Sequence, residues 1–147
     1  TLFRLDEQIR QSLLMLENQW EPKEIEFDVE LEEVSYFGNE GMLLQVWNNL
    51  IGNAVKFSPA QGLISIELKR ADDQIICSIS DEGPGIPEDE HPHIFDKFYQ
   101  ADSSHKQEGN GLGLALVKRI VDIAGGSISI SNNPEKGCTF TVALPVT

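Results

Sequence analysis

Three glycines occupy alternate positions in the segment GNGLGLAL, at Gly109, Gly111 and Gly113. Inside a helix glycine costs about 0.5–1 kcal/mol relative to alanine, so glycines clustered at the start of the helical pattern that follows indicate a task for the backbone itself. Backbone N–H groups and the positive end of a helix dipole can bind a small anion, which glycine allows to approach closely. The spacing differs from the phosphate loop ending in GK[ST] and from the dinucleotide pattern GxGxxG.

Three further segments carry side chains that could take part in such a site: NNLIGNAVKFS at 48–58, DEGPGIP at 81–87 and IFDKFY at 94–99. Asn49 and Asn53 are four residues apart and Lys56 is one turn further, so the three share one face of a helix. Taken alone, each segment has an ordinary interpretation: a solvated helix face, a turn after a strand and a pair of core phenylalanines. Their significance depends on whether the fold brings them together.

Apolar periodicity predicts three helices. The first runs from Leu2 to about Trp20, the second covers roughly Gly41 to Phe57, and the third follows GNGLGLAL. Alternating segments predict the strands EIEFDVE and VSYF and two hairpins, LISIELKR with QIICSIS and GSISISN with GCTFTVALP. This order predicts an α/β (α+β) fold, a two-layer sandwich with a mixed, mostly antiparallel sheet and helices on one face. The long polar segment between Asp81 and Asn110 is typical of a lid or binding loop.

The composition restricts the ligands. The chain has 147 residues, enough for one domain, and a formal net charge of -13, which argues against nucleic acid as a partner. A small anion would have to be held by backbone amides, a few local lysines or a metal cation.

Cys77 and Cys138 fall on the apolar faces of predicted strands, which favours core packing in a reducing compartment. With neither a transmembrane run nor a signal peptide pattern, the chain as given is expected to be soluble.

Together and in this order, the four segments resemble the N, G1, F and G2 boxes of the catalytic, ATP-binding domain of two-component sensor histidine kinases. This is the HATPase_c or Bergerat-fold domain of the superfamily that includes gyrase, Hsp90 and MutL. The resemblance covers about Phe3 to Pro145. It implies a domain that binds ATP and Mg²⁺ beneath an ATP lid.

The resemblance also implies roles for individual residues. Asn53 corresponds to the asparagine whose side-chain oxygen binds Mg²⁺, and Lys56 would supply positive charge to the phosphates. Asp81 corresponds to the adenine reader, because a carboxylate only accepts hydrogen bonds and so pairs with the adenine amine and not with the guanine carbonyl. The implied nucleotide-binding set is Asn49, Asn53, Lys56, Phe57, Asp81, Gly83, Gly85, Ile86, Tyr99, Gly109, Gly111, Leu112, Gly113 and Leu114.

Within this set Gly83 and Gly85 would let the backbone pass close to the purine. Leu112 and Leu114 would tie the glycine-rich segment to the core. The F box and the lid are represented by Phe95, Phe98, Gln100 and Lys106, with the phenylalanines anchoring the lid.

Three positions depart from the family pattern. Asn110 replaces a common threonine and keeps a short polar side chain. Gln100 stands where many members have an arginine that reaches the terminal phosphate, a role that Lys97 or Lys106 could take. Asn49 occupies the place of the catalytic glutamate of the gyrase and Hsp90 branch. Because an amide cannot act as a general base, hydrolysis by a bound water is not expected.

The resemblance further implies that the chain is part of a larger kinase. None of His91, His93 and His105 lies in the context of a phosphoacceptor histidine. Residues 1–20 are expected to be the end of a linker helix from a separate dimerisation and phosphoacceptor domain, and residues 21–147 the catalytic domain. The implied partners are that acceptor domain and a response regulator, in a bacterial, membrane-anchored homodimer with this domain in the cytoplasm. The alternatives are a degenerate nucleotide-binding sensor or scaffold and a Ser-kinase-type regulator of the same fold.

Overall fold

A five-stranded mixed sheet forms one layer of the fold in the computed structural model, which describes residues 1–96 and 112–146. The strand order is β2-β4-β5-β7-β6. The bounds are β2 Glu26–Leu31, β4 Leu63–Ala71, β5 Gln74–Ser80, β6 Ser127–Asn132 and β7 Cys138–Pro145. Only the β2–β4 pair is parallel within this sheet. Both predicted hairpins, β4 with β5 and β6 with β7, are confirmed.

Alternate residues of the central strands point into the core. Ile64, Ile66 and Leu68 of β4 are buried, while the residues between them are exposed or half-buried. Strands β5 and β7 repeat this pattern, and Cys77 and Cys138 are free thiols on their buried faces, as predicted. One face of the sheet therefore packs on the helices.

The central helix, α3, spans Glu40–Phe57. The Asn39 side chain caps its start by accepting a hydrogen bond from the Met42 N–H at 3.0 Å. Seven side chains of α3 are buried in the core, namely Leu43, Val46, Trp47, Leu50, Ile51, Ala54 and Val55. Helix α4, Leu112–Ile123, packs beside α3. A 3-10 helix covers Glu88–His93.

The first predicted helix was wrong at its start, and it is interrupted at Leu16 before it ends at Trp20 as predicted. Leu2–Arg4 form a short strand, β1, which pairs antiparallel with β3, Ser35–Phe37, in a separate two-stranded sheet. Helix α1 then covers Leu5–Met15, and a four-residue helix α2 covers Glu17–Trp20. Leu16, with φ -99° and ψ 9°, departs from helical dihedral angles and separates the two helices, and the Trp20 indole N–H donates to the Leu13 carbonyl at 2.8 Å. The Trp20 ring also packs edge-on against Phe27 of β2.

Helix α1 is joined to α3 through polar as well as apolar contacts. Leu5 and Ile9 are fully buried. Buried Gln8 donates to the Glu40 carbonyl at 2.8 Å and accepts from the Trp47 indole N–H at 2.9 Å. Because these bonds are directional, they fix the position of α1 along α3. None of the helices within the described ranges is long and apolar enough to cross a membrane.

Asp6 is a buried carboxylate beside this interface. It accepts hydrogen bonds from Arg4 at 2.6 and 2.9 Å, from Arg10 at 2.9 Å and from the Val34 N–H at 3.3 Å. The Arg4 guanidinium first, and then the other donors, hold the pKa of Asp6 well below its usual range despite its burial. The ionised form therefore stabilises the folded state.

Substitution Asp6→Asn is expected to lower the free energy of unfolding at pH 7 by about 1–3 kcal/mol, the value of hydrogen bonds to a buried charged group. A lowered pKa contributes stability above the pKa of the unfolded state, and this contribution is lost as pH falls. The difference between wild type and variant should therefore narrow below about pH 5. Urea unfolding at pH 7 and at lower pH measures it.

Glu7→Gln is the matched control, since Glu7 contacts the same two arginines from an exposed position. Its effect should stay within about 0.5 kcal/mol. Equal losses in the two variants, or a difference independent of pH, would contradict the role of Asp6.

Candidate functional site

The polar face predicted for the second helix is present on α3. Asn49, Asn53 and Lys56 lie on this helix, and all three are half-buried. The Asn49 side-chain N–H donates to the Gln45 carbonyl at 2.8 Å, which leaves its Oδ1 available. The Lys56 ammonium lies 5.3 Å from the centre of the Phe57 ring. One helix thus offers amide oxygens and a cation along one side.

The start of α4 lies against one end of this polar face. A Cβ placed on Gly113 would come within 3.0 Å of Asn49 Oδ1. Leu114, the next residue, packs on the core. Two of the predicted segments are thus in direct contact, and glycine at 113 allows the approach.

The predicted loop after β5 lies at the other end of the face. A Cβ on Gly83 would come within 2.6 Å of the Phe57 carbonyl, so close packing of this loop on α3 requires glycine there. Gly85 has φ +77°, a conformation that favours glycine. Between Asn49 and Phe57 the helix rises about 12 Å, which is the separation of the two contact points along α3.

Asp81 directly follows β5 and is buried, with 7% of its surface exposed. Its Oδ1 accepts a hydrogen bond from the Gly83 N–H at 2.8 Å, and its own N–H donates to the Cys138 carbonyl at 3.0 Å. Burial raises the pKa of Asp81, and the hydrogen bonds from Gly83 and Cys138 oppose that shift. One carboxylate oxygen is therefore committed to the loop.

The other oxygen, Oδ2, faces the thiol of Cys138 at 3.8 Å. Burial, and then the charge of Asp81, raise the pKa of this thiol to about 12, so it remains a weak donor. Sequence reasoning placed Cys138 in the core and missed this contact. The alternation of β7 gives only the face of Cys138, whereas the contact depends on the β5–β7 pairing.

Lys23 was also missed. Its ammonium donates to the carbonyls of Val55 and Lys56 at 2.7 and 3.3 Å, at the end of α3. A cation there satisfies carbonyls that lack partners within the helix and interacts favourably with the helix dipole. Burial lowers the pKa of Lys23. A lysine more than thirty residues away in sequence carries no local signal for this role.

The F-box segment lies on the core at its described end. Ile94 is buried, and the Phe95 ring packs edge-on against Phe140 of β7, with centroids 6.2 Å apart. Phe95 therefore ties the described part of the long polar segment to the sheet.

Several predicted site residues lie outside the described residues, namely Phe98, Tyr99, Gln100, Lys106, Gly109 and Gly111. Leu112 is the first residue of α4, and its side chain lies outside the described part of the structure.

The model of a protein family described as histidine kinase-, DNA gyrase B-, and HSP90-like ATPase matches residues 38–147. The chain belongs to this family. Within it, the chain is 38% identical over 118 residues to the heme sensor protein HssS of Staphylococcus haemolyticus, covering 80% of this chain and 25% of HssS. The curated relatives compared are longer, and the chain spans 14% to 38% of their length.

Solved structures of sensor kinases have the same fold. The mycobacterial sensor histidine kinase MprB superposes with a TM-score of 0.93 at 30% identity, over 99% of this chain and 97% of that one. The histidine kinase ThkA, in a complex with the response regulator protein TrrA, superposes with a TM-score of 0.86 at 29% identity, over 100% of this chain and 42% of that one. The predicted fold and family, a sensor histidine kinase catalytic domain of the ATP-binding HATPase_c type, are confirmed.

Two glycine substitutions should separate a required glycine from a dispensable one. Gly137 has φ +84°, and a Cβ there would lie 1.9 Å from the Asp81 carbonyl oxygen, whereas a Cβ on Gly52 of α3 meets none of the described atoms within 4 Å. Gly137→Ala should therefore lower the free energy of unfolding by more than about 2 kcal/mol. Gly52→Ala should raise it by about 0.5–1 kcal/mol.

Chemical unfolding of both variants beside the wild type measures these changes. A Gly137→Ala variant as stable as the wild type would show that the turn at 137 can move away from Asp81.

Proposed function

We propose that this chain is the catalytic domain of a sensor histidine kinase, which binds Mg-ATP and transfers the γ-phosphoryl group to a histidine on a separate domain. The observation that carries the proposal is the arrangement along α3. The loop that holds Asp81 contacts one end of the polar face through Gly83, and the glycine-bearing start of α4 contacts the other end through Gly113. An extended nucleoside triphosphate would fit this arrangement, with its base at the first end and its phosphates at the second.

Asp81 would recognise the base. Its Oδ1 already accepts from Gly83. Its Oδ2 faces the weakly donating Cys138 thiol and keeps a second lone pair with which to accept from the exocyclic amine of adenine. Guanine carries a carbonyl at the corresponding position, so two acceptors would face each other. This selectivity would account for a carboxylate at position 81, where burial raises its pKa.

The phosphates would lie along α3 towards α4. Mg²⁺ prefers a few protein oxygens together with phosphates and water, and the half-buried Asn53 amide supplies an oxygen of that kind. Bound Mg²⁺ would neutralise charge on the phosphates during transfer. Lys56, about one turn from Asn53 on the same face, would add a local positive charge.

The transfer itself needs little covalent chemistry from this domain. A nitrogen of the acceptor histidine would form a bond to the γ-phosphorus while the bond from that phosphorus to the bridging oxygen breaks and ADP leaves. Asn49 cannot take a proton from water as a glutamate could, and so transfer is favoured over hydrolysis.

We extend the proposal to the rest of the parent protein. The acceptor histidine would belong to a dimerisation domain connected through residues 1–20, with residues 21–147 as the catalytic domain. The ThkA–TrrA complex supports a response regulator as the next partner. The same proposal places this domain on the cytoplasmic side of a membrane-anchored parent.

The deciding experiment adds γ-labelled ATP and a separately made acceptor-helix fragment to the chain. Acid-labile label on histidine supports the proposal. Acid-stable label on serine would indicate a Ser-kinase-type regulator, and ATP binding without any transfer would indicate a nucleotide sensor or scaffold.

Asp81→Asn is expected to weaken binding of a non-hydrolysable ATP analogue about 10- to 100-fold, since an amide N–H₂ then faces the adenine amine. Binding of the guanine analogue should be unchanged or stronger, because the new donor can pair with the guanine carbonyl. Calorimetric titration with both analogues measures the ratio of affinities. Asp73→Asn is the control, at the opposite end of β5. An unchanged ratio in Asp81→Asn would rule out the adenine role.

Asn53→Ala is expected to remove most of the Mg²⁺-dependent part of ATP binding and to leave the Mg²⁺-independent part. Alanine is a good helix former, so the fold should be retained. The measurement is the affinity for the ATP analogue with Mg²⁺ and with chelator, beside the exposed control Asn18→Ala. Equal losses under the two conditions would argue against a metal-binding role.

A further inference from the structure

Two adjacent asparagines at the end of β6 hold the loop that carries Asp81. We propose that Asn132 and Asn133 are positioning residues of the nucleotide site, which fix this loop so that Asp81 discriminates adenine from guanine. The inference rests on the proposed function of the site. It concerns residues outside the four sequence segments.

Asn132 forms two hydrogen bonds with the backbone of Ile86. Its Oδ1 accepts from the Ile86 N–H at 3.1 Å, and its Nδ2 donates to the Ile86 carbonyl at 2.8 Å. The His91 ring nitrogen Nε2 lies 2.9 Å from the same carbonyl. A side-chain amide has the donor and acceptor of a peptide group, so Asn132 gives Ile86 the pairing that a neighbouring strand would give.

Asn133 holds the first residue of the loop. Its Nδ2 donates to the Asp81 carbonyl at 3.1 Å, while its Oδ1 accepts from the Thr139 hydroxyl at 2.6 Å. Because the hydroxyl contact occupies the oxygen, it fixes the orientation of the amide and directs Nδ2 at Asp81. The loop is therefore held at residue 81 and at residue 86 by two consecutive side chains.

The turn that follows β6 brings these amides to the loop. The Asn133 N–H donates to the Gly137 carbonyl at 2.9 Å and closes the turn. Gly137 lies directly on the Asp81 carbonyl, and a Cβ on Gly85 would come within 3.2 Å of Asn132 Oδ1. The turn after β6 thus packs closely on the loop after β5, and this packing places the two side-chain amides within bonding distance of Asp81 and Ile86.

These contacts act on the loop more than on the fold. The sheet retains the Asp81 N–H bond to the Cys138 carbonyl and the β5–β7 ladder without either amide. Asn132 is itself exposed. Removal of an amide therefore gives residues 82–86 more freedom to reorient, and a ligand must then order them on binding. The loss should fall on the ligand that depends on Asp81, which is the adenine nucleotide.

The test titrates wild type, Asn132→Ala, Asn133→Ala and the control Asn18→Ala with the non-hydrolysable analogues of ATP and of GTP in Mg²⁺. Asn132→Ala and Asn133→Ala should each bind the ATP analogue about 5- to 20-fold more weakly than the wild type, with less than about a twofold change for the GTP analogue. Thermal unfolding of all four proteins accompanies the titration. Hydrogen exchange at the Ile86 amide should be faster in Asn132→Ala even without nucleotide.

Equal losses for the two analogues, or unchanged adenine selectivity in both variants, would overturn the positioning role while leaving the proposed function intact. A wild-type chain that binds neither analogue would overturn the proposed function and this inference with it. Asn132→Asp provides a second variant that keeps the acceptor for the Ile86 N–H but sets an oxygen against the Ile86 carbonyl. It should lose selectivity as Asn132→Ala does, and retained selectivity would also overturn the inference.

Discussion

Burial of the apolar face of α3 against the sheet is the interaction on which the rest of the structure depends. The side chains of this face lie in the core, and Trp47 and Ile51 are completely inaccessible to solvent. The helix consequently has one possible rotation about its axis, and this rotation decides where its polar side chains point. The buried apolar side chains of α3 therefore set the positions of Asn49 and Asn53.

Other elements are located by contact with the same helix. Helix α1 is bonded to it through Gln8, Lys23 satisfies its last carbonyls, and the loop after β5 lies on Phe57. Helix α4 approaches it at Gly113. A displacement of α3 would therefore alter both ends of the proposed nucleotide site together. Since α1 is bonded along α3, a shift of α1 would be felt at the site as well.

Two buried carboxylates, Asp6 and Asp81, have opposite effects on stability. Asp6 has a lowered pKa because arginines and a backbone N–H surround it, and its ionised form stabilises the fold. Asp81 has a raised pKa because burial outweighs its hydrogen bonds, so its ionised form opposes folding at neutral pH, and this cost is lost as pH falls through the raised pKa. A group that is unfavourable for stability is expected where the chemistry requires it.

Much of this arrangement could be predicted from sequence, and the limits have physical causes. The hairpins, α3 and α4 follow from local periodicity, and the loop after β5 follows from its glycines and prolines. Strand β1 could not be predicted, because its pairing with Ser35–Phe37 depends on residues more than thirty positions away. Lys23, Asn132 and Asn133 act through side-chain bonds to distant backbone groups, which leave no periodic signal.

The charge of the chain explains why fixed geometry matters for the proposed ligand. With a formal net charge of -13, the domain repels a triphosphate, and physiological salt leaves that repulsion in force within about 8 Å. Attraction would therefore come from the contacts proposed for the site: an amide oxygen that would hold a metal cation, a lysine, the start of a helix and a carboxylate that would pair with one base. Such short-range contacts depend steeply on distance and direction. A loop held at both ends by side-chain amides suits a site that gains nothing from long-range electrostatic attraction.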